Sequence, residues 1–172
     1  MDELKNQKCP VCGKNKLTLR EEDIDVPFFG KTFVFSMCCE ECNFSKADVE
    51  AAEQKTPVKI TFEINSEKDM SVRVIKSSNA LVKIPQMKMS MEPGEASDGF
   101  VSNIEGLLHK FELVLEQQRD TAEEEDVKKQ AKNLLKKLWK VKLGDQPLKI
   151  IIEDKSGNSA IISDKSKIEK WK

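Results

Sequence analysis

The 172-residue sequence predicts an α+β protein that is mainly β, with two helices inserted among strands. Three observations support this fold class. Two C-x2-C pairs lie within the first 50 residues, apolar and polar residues alternate through much of the chain, and the apolar spacing changes to three and four between about 100 and 143. Period two is typical of strands and period 3.6 of helices. We therefore expect a cysteine-containing unit at 1–50 and a β-rich unit at 51–172 that carries a helical hairpin at about 100–143.

The cysteines predict a metal site. Cys9 and Cys12 form one C-x2-C pair, and Cys39 and Cys42 form the second. A two-residue spacer lets one tight turn present both thiolates to a single ion. Gly13 and Asn43 follow the two pairs, and both residue types tolerate the positive φ that such a turn needs. This repeat favours Cys39 over Cys38 as a ligand and predicts zinc bound by Cys9, Cys12, Cys39 and Cys42.

The composition of this site indicates a structural role for the zinc. Four thiolates complete a tetrahedral shell, whereas catalytic zinc keeps one position open and usually has histidine ligands. The single histidine, His109, lies far from the cysteines, in a helical pattern that it shares with Glu105 and Glu112. One histidine also cannot supply the two-histidine iron site of many β-sandwich enzymes. We expect one structural zinc, worth on the order of 10 kcal/mol to folding, and no enzymatic activity.

Composition also restricts the partners. The chain has 29 Lys and Arg against 30 Asp and Glu, so net charge provides no general attraction to nucleic acid or membrane. The start, MDELKNQK, is polar and acidic, unlike a secretory signal, and no run approaches the roughly 18 apolar residues of a membrane span. We expect a cytoplasmic protein without membrane contact or small-molecule substrate, in which cysteines stay reduced and free to bind metal.

Strands are expected on both sides of the cysteine pairs. KLTLRE and KTFVFSM alternate and enclose the loop DIDVPFFG, in which Phe28 and Phe29 are candidate partner-binding residues. Packing of these rings on the neighbouring unit is the alternative. SKADVEAAEQK is expected to be a polar link, and VKITFEI and ALVKIPQMKMSM are expected to be strands. The segment PLKIIIEDKSGNSAIIS is expected to form a hairpin that turns at 154–158. The tail beyond Asp164 is expected to fray, except where Trp171 packs back on the protein.

The helical hairpin has its own start and stop signals. Apolar residues at helical spacing run from Phe100 to Leu115 and again from Val127 to Leu138. Ser102 with Glu105, and Thr121 with Glu124, have the spacing of capping boxes, and Gly144 suits a helix end. Four lysines line one side of the second helix: Lys129, Lys132, Lys136 and Lys140.

These lysines have two interpretations. The helix dipole favours acidic residues in the first turn of a helix and basic residues in the last turn. This preference accounts for much of the charge pattern of the second helix. The same lysines could contact an acidic protein or RNA, and RNA binding is therefore the alternative function. The finger itself lacks the basic footprint that phosphate recognition needs, because residues 1–46 contain seven basic and eight acidic side chains.

The order of several motifs resembles the Zpr zinc-finger family. The chain has C-x2-C, then DVPFF, then a second C-x2-C, then IEGLL at 104–108 and DKSGN at 154–158. Cysteine pairs alone are common among zinc proteins, but the later motifs in this order make the resemblance specific. It extends from Cys9 to about Ile162 and is strongest to the single-copy archaeal members.

This resemblance implies a fold and a function. It implies a zinc-ribbon-like finger joined to a small β-sandwich of the double-stranded β-helix kind, with an inserted helical hairpin, and Cys9, Cys12, Cys39 and Cys42 as zinc ligands. Eukaryotic members carry two tandem copies, bind translation elongation factor one-alpha and assist its folding. The resemblance therefore implies an adaptor or folding chaperone that binds a translation GTPase, although a mechanism that needs both copies would not transfer to this chain.

Overall fold

The computed structural model describes residues 2–26, 30–51, 55–94 and 97–171. Within these ranges the chain is mainly β and contains two long helices, which confirms the expected fold class. The α-helices are α1 (Ile104–Thr121) and α2 (Glu125–Lys142). Neither helix is long and apolar enough to cross a membrane. The strands, in chain order, are β1 (Asp2–Lys8), β2 (Asn15–Val26), β3 (Gly30–Cys39), β4 (Ser45–Ala51), β5 (Val58–Ile64), β6 (Arg73–Lys76), β7 (Ala80–Ile84), β8 (Met89–Met91), β9 (Phe100–Asn103), β10 (Leu148–Asp154), β11 (Ala160–Ile161) and β12 (Lys167–Lys170).

The first four strands form one antiparallel sheet in sequence order, which we call the finger sheet. Strands β2 and β3 are expected from their alternation, but β1 and β4 are not. The predicted polar link at 45–55 is wrong over its first seven residues, because Ser45–Ala51 pair with β3. Both missed strands lie at the edges of the sheet. Backbone hydrogen bonds hold them there with little side-chain burial, so their sequences show no apolar period.

The rest of the chain forms a sandwich of two sheets. One sheet has the order β12-β5-β10-β7-β8 and the other has the order β11-β6-β9. Alternate residues of β5, β7 and β10 are buried, including Phe62, Val82 and Ile152. The apolar faces of the two helices join the same core through Leu108 and Leu138, which are fully buried. The helical hairpin is therefore part of the sandwich core.

The segment 148–161 differs from the expected hairpin. Strand β10 pairs with β5 and β7, whereas β11 pairs with β6 in the other sheet. The residues between them, including the turn at 154–158, therefore carry the chain from one sheet to the other. A turn sequence predicts a change of direction, but it does not specify which strand the next segment joins.

The C-terminal tail is ordered, contrary to the expected fraying. Lys167–Lys170 form β12, which pairs with β5 at the edge of the large sheet. The backbone N–H of Trp171 donates to the carbonyl oxygen of Pro57 at 3.0 Å, and the Lys155 ammonium lies 5.9 Å from the Trp171 ring centroid. Like β1, this strand is exposed on both faces, so alternation could not reveal it.

The helices begin differently from the prediction. The expected helical run from Phe100 is wrong over its first four residues, because Phe100–Asn103 form strand β9, which pairs with β6. Asn103, and not Ser102, caps α1, because its side chain accepts a hydrogen bond from the backbone N–H of Gly106. Thr121 lies inside α1, and Glu124 precedes α2 without a side-chain capping bond. Gly144 has φ +80° just beyond α2, as its sequence position predicts.

The finger sheet and the sandwich meet at β4. The Asp48 carboxylate accepts a hydrogen bond from the backbone N–H of Gly99 at 2.8 Å, and the Lys46 ammonium lies 2.9 Å from the Asp98 carboxylate. A Cβ atom on Gly99 would lie 2.5 Å from the carbonyl oxygen of Val49. The backbones at positions 49 and 99 are so close that no side chain larger than that of glycine can be accommodated at position 99. Gly99 therefore allows the two units to pack closely.

Candidate metal centre

Four cysteine sulfurs converge at one end of the finger sheet. The Sγ atoms of Cys9, Cys12, Cys39 and Cys42 all lie within 4.8 Å of one another. The sulfurs of Cys9 and Cys42 are 3.7 Å apart, as are those of Cys12 and Cys39. A zinc ion about 2.3 Å from each of four sulfurs requires sulfur–sulfur edges of about 3.8 Å. The cluster therefore has the dimensions of a tetrahedral zinc site.

Two equivalent turns present these sulfurs. In the first turn the backbone N–H of Gly13 donates to the carbonyl oxygen of Cys9, and in the second the N–H of Asn43 donates to that of Cys39. Gly13 has φ +73° and Asn43 has φ 56°, so both residues adopt the positive φ that their positions predict. The two C-x2-C pairs thus use one local geometry twice, and the register that repeats is that of Cys39.

The remaining cysteine lies apart. Cys38 is exposed, and its thiol is not a member of the four-sulfur cluster. It is adjacent to Cys39 on β3, so its side chain points to the opposite face of the sheet. Cys39 is fully buried and pairs with Leu17 on β2, which packs beside the cluster. Strand alternation therefore separates a ligand from a non-ligand at neighbouring positions.

Electrostatics explain why this cluster needs a cation. The backbone N–H of Cys12 is the main influence that lowers the pKa of Cys9, to about 7. At Cys42 the backbone N–H of Phe44 lowers the pKa, but burial and the thiols of Cys39 and Cys12 outweigh it and raise the pKa to about 12. Several thiolates cannot share this small space without a compensating charge. A divalent metal ion supplies that charge and lets all four sulfurs ionise.

The other candidate residues lie elsewhere. Phe28 and Phe29 fall outside the described residues. Lys129, Lys132, Lys136 and Lys140 are exposed on α2, away from the finger. His109 is exposed on α1, where its Nδ1 lies 3.2 Å from a carboxylate oxygen of Glu112. Among the candidate residues that the structure describes, the four cysteines come together, and His109 lies outside this cluster.

Sequence reasoning missed one surface residue. Trp139 is 62% exposed on α2, and Leu143, one turn further along, is 46% exposed. The chain has only two tryptophans, and an exposed one is uncommon because the indole ring is largely apolar. Its position between Lys136 and Lys140 in a helical pattern could have revealed it, because Leu135 and Leu138 already define the buried side.

Comparisons with known proteins agree with this geometry. The ZPR1 zinc-finger domain matches residues 3–57, and the ZPR1 jelly-roll domain matches residues 68–172. An uncharacterized ZPR1-like protein of Methanocaldococcus jannaschii is 38% identical over 165 residues, which cover 95% of this chain and 83% of that protein. A ZPR1-like protein of Pyrococcus horikoshii is 34% identical over 174 residues, which cover 99% of this chain and 78% of the relative.

A eukaryotic relative is longer. The zinc finger chaperone zpr1 of Schizosaccharomyces pombe is 31% identical over 157 residues, which cover 89% of this chain but only 33% of that protein. The zinc-finger match and the four converging sulfurs together identify one structural zinc site, at Cys9, Cys12, Cys39 and Cys42. With both of its domains matched, the chain belongs to the ZPR1 zinc-finger family.

Proposed function

We propose that this protein is a zinc-stabilised folding chaperone or adaptor whose client is a translation GTPase of the elongation factor one-alpha type. One observation carries the proposal: large apolar side chains are exposed on both units. Leu4 and Val11 on the finger are 60% and 66% exposed, and Trp139 on α2 is 62% exposed. Exposed apolar surface on a rigid scaffold is what a protein needs to hold a client whose own apolar surface is uncovered. The name of the S. pombe relative, a zinc finger chaperone, supports the same role.

The α2 surface adds a charged contact to this proposal. Lys136 and Lys140 flank Trp139, and Lys129 and Lys132 continue the exposed side toward the start of the helix. In the described part of the chain none of these four lysines forms an ion pair, whereas Lys128 and Lys142 do. Tryptophan is enriched at binding hot spots, and unpaired lysines around it favour an acidic client surface.

The proposal assigns no catalytic step to this protein. A site closed by four sulfurs has no position for water or substrate, which supports a structural role. His109 is exposed and its described partner is Glu112, with which Lys142 also forms an ion pair at 2.6 Å. This arrangement is that of a surface charge cluster, without a nucleophile or a buried base beside it.

A refolding assay tests the proposal. Denatured elongation factor one-alpha from the same cells is diluted into buffer with GTP, with and without the zinc-loaded protein, and recovery of nucleotide binding is measured. The protein should raise the recovered fraction, and Trp139→Ala should lose most of the gain. Leu113→Ala, which removes a 51% exposed side chain from α1, is the matched control and should behave like wild type. Equal recovery with and without the protein would end this proposal.

The candidate contact residues also include Phe28 and Phe29 in the predicted loop between β2 and β3. Phe28→Ala/Phe29→Ala should weaken capture of the elongation factor from a cell lysate while leaving zinc content unchanged, because no ligand is altered. Retention of full capture by this variant would remove the loop from the contact surface. It would leave the role of Trp139 intact.

RNA binding is the second candidate function, and the four unpaired lysines on α2 are the observation that favours it. A phosphate-binding surface loses affinity steeply as salt rises. A gel shift with total transfer RNA at increasing salt distinguishes the two functions. Salt-dependent binding that is lost in Lys132→Ala/Lys136→Ala would support RNA as the partner, and no shift at low salt would exclude this candidate.

A further inference from the structure

One face of the finger sheet combines phenylalanines with carboxylates in a regular pattern. Register places Glu21, Phe35 and Asp48 side by side on β2, β3 and β4. The next row on the same face has Asp23, Phe33 and Glu50. Each ring therefore has a carboxylate on both sides. We call these six residues the acidic aromatic face.

A groove continues this face toward the metal centre. It encloses about 390 Å³, and Leu4, Leu19, Phe35 and Met37 line it with apolar side chains. Three carboxylates and two basic side chains lie at its border: Asp2, Glu21, Asp48, Arg20 and Lys46. The two basic side chains already form ion pairs, Arg20 with Glu3 and Lys46 with Asp98. Leu19 and Met37 also pack on the small core around the zinc ligands. The closed metal centre thus holds the floor of the groove in place.

The rings on this face lack a partner in the described part of the chain. Phe33 and Phe35 are half-buried and contact each other, with ring centroids 6.4 Å apart, but neither belongs to one of the two core clusters. Three of the four neighbouring carboxylates are also available, whereas that of Asp48 accepts hydrogen bonds from the backbone N–H groups of Gly99 and Val49. Among the described residues, Glu21, Asp23 and Glu50 form no ion pair.

The charge of this face is one-sided. Asp2 and Asp25 extend the acidic rows on β1 and β2, while Lys31 and Lys46 are the basic residues at the corresponding positions of β3 and β4. Lys46 is already paired with Asp98. The opposite face differs: next to the row of Glu21 and Phe35 it presents Arg20, Ser36 and Ala47. The excess of carboxylates around apolar side chains is therefore specific to one face.

We propose that the acidic aromatic face and its groove dock a basic amphipathic segment of the protein partner, in which a large apolar side chain is flanked by Lys or Arg. The apolar side chain fits the groove between Leu19 and Met37. Cationic groups beside it lie over the faces of Phe33 and Phe35 and between the two rows of carboxylates, where cation–π and charge attraction act together. This inference rests on the proposed function, because it specifies the partner chemistry that the finger recognises.

A peptide titration tests the docking. The probe is a short fluorescein-labelled peptide in which phenylalanines alternate with pairs of lysines, and the comparison peptide has glutamate at each lysine position. Fluorescence anisotropy with the full-length, zinc-loaded protein should show binding of the lysine peptide that weakens as salt rises, and no binding of the glutamate peptide. Equal affinity for both peptides, or no binding of either, would overturn the proposal.

Matched variants locate the binding. Phe33→Ala/Phe35→Ala should weaken the lysine peptide about tenfold or more, because it removes both rings. Glu21→Gln/Glu50→Gln should weaken it about fivefold, as expected for two exposed ion pairs. The controls change the opposite face at neighbouring positions: Glu22→Gln and Ile24→Ala should bind like wild type. Zinc content verifies that each variant is folded, and equal weakening by the controls would place the binding elsewhere.

Two further outcomes separate this inference from its alternatives. Sedimentation at low salt should show a monomer, whereas self-association that Phe33→Ala/Phe35→Ala abolishes would assign the face to a second copy of this chain and overturn the proposal. The same variant should also lose capture of the elongation factor. If that variant captures the factor as wild type does, the docking face is wrong while the proposed function stands. If wild type captures no factor but the peptide results are as expected, only the proposed function fails.

Discussion

The finger and the sandwich are both antiparallel β structures, but different forces hold them together. The described core of the finger contains three buried residues, Cys9, Leu17 and Cys39, and two of them are metal ligands. The sandwich core contains twenty buried apolar residues contributed by both sheets and both helices. An apolar core of this size can stabilise a domain without a metal ion or a disulfide. A unit with so small a core depends on one of them. The finger and the sandwich therefore have similar antiparallel strands but different sources of stability.

The two units also treat buried charge differently. In the finger a metal ion compensates the thiolates, whereas in the sandwich hydrogen-bond donors and the buried ammonium of Lys76 compensate a carboxylate. Asp154 is fully buried and accepts five hydrogen bonds, from the hydroxyl groups of Ser77, Ser156 and Ser159 and from the backbone N–H groups of Ser156 and Asn158. A buried carboxylate with this many donors stays ionised.

Removal of the zinc should have the largest effect and should separate the two units. Cys39→Ser, or chelation of the wild-type metal, removes binding energy on the order of 10 kcal/mol from the finger. Hydrogen exchange should show the amides of β2 and β3 losing protection, while those of β5 and β10 keep theirs. Cys38→Ser is the matched control and should leave both sheets protected. Loss of protection in both units on metal removal would mean that the sandwich also depends on zinc.

Truncation of core side chains sharpens the same contrast. Leu108→Ala, at a fully buried position, should lower the unfolding free energy of the sandwich by about 3 kcal/mol. The substitution leaves a cavity that the surrounding side chains fill only in part. Leu17→Ala in the zinc-loaded finger should cost less, because the metal and not the apolar core supplies most of that stability. Urea titration monitored for each unit checks both values. A larger loss of unfolding free energy for Leu17→Ala than for Leu108→Ala would contradict the claim that the metal supplies most of the stability of the finger.

Acid should affect the sandwich through Asp154. Burial would raise the pKa of this carboxyl, but hydrogen bonds from Ser156, Ser159 and Ser77 outweigh it and lower the pKa below its usual range. A depressed folded-state pKa contributes stability that is present above the unfolded pKa of about 3.9 and is lost as pH falls through the folded value. The unfolding free energy of the sandwich should therefore decrease below about pH 4.

Asp154→Asn is the variant that isolates this effect. It should cost about 3 kcal/mol at neutral pH, because an amide cannot accept from all five donors. The difference in unfolding free energy between wild type and Asp154→Asn should shrink as pH falls below about 4. A difference that stays constant over this range would show that the charge of Asp154 contributes nothing.

The smallest expected effects lie where the two units meet. Lys46→Ala removes a pair in which both side chains are more than a third exposed, so it should change stability by less than about 1 kcal/mol. Gly99→Ala should cost more, since its Cβ would lie 2.5 Å from the Val49 carbonyl oxygen. Thermal unfolding of both variants checks this order. Equal costs would mean that the contact between the units is electrostatic.

The sequence predicted those parts of the molecule that have a strong local signal. Each half of the metal centre is a short turn, so the positions of Gly13 and Asn43 were sufficient to choose Cys39 over Cys38. Strands β5, β7, β8 and β10 of the sandwich and the two helices followed from apolar spacing, whereas the same spacing placed the residues of β9 in the first helix. Strands β1, β4 and β12 were missed because they lie at sheet edges, where backbone pairing replaces side-chain burial. The change of sheet between β10 and β11 was missed because strand partners are set by the whole fold.

The candidate contact surfaces depend even more on the fold. The row of Glu21, Phe35 and Asp48 joins residues from three strands, and only the register brings them side by side. Trp139 is different, since its helical position already placed it off the buried side. Local patterns therefore predicted the metal centre well, while surfaces built from several strands required the structure.

The central claim is that one ion is held by four sulfurs and by nothing else. X-ray absorption at the zinc edge of the purified, full-length protein measures this ligand set directly. The account predicts one zinc per chain with four sulfur neighbours at about 2.3 Å, unchanged in Cys38→Ser. A nitrogen or oxygen neighbour in the first shell of the wild-type protein would contradict it, because the site would then be open to chemistry.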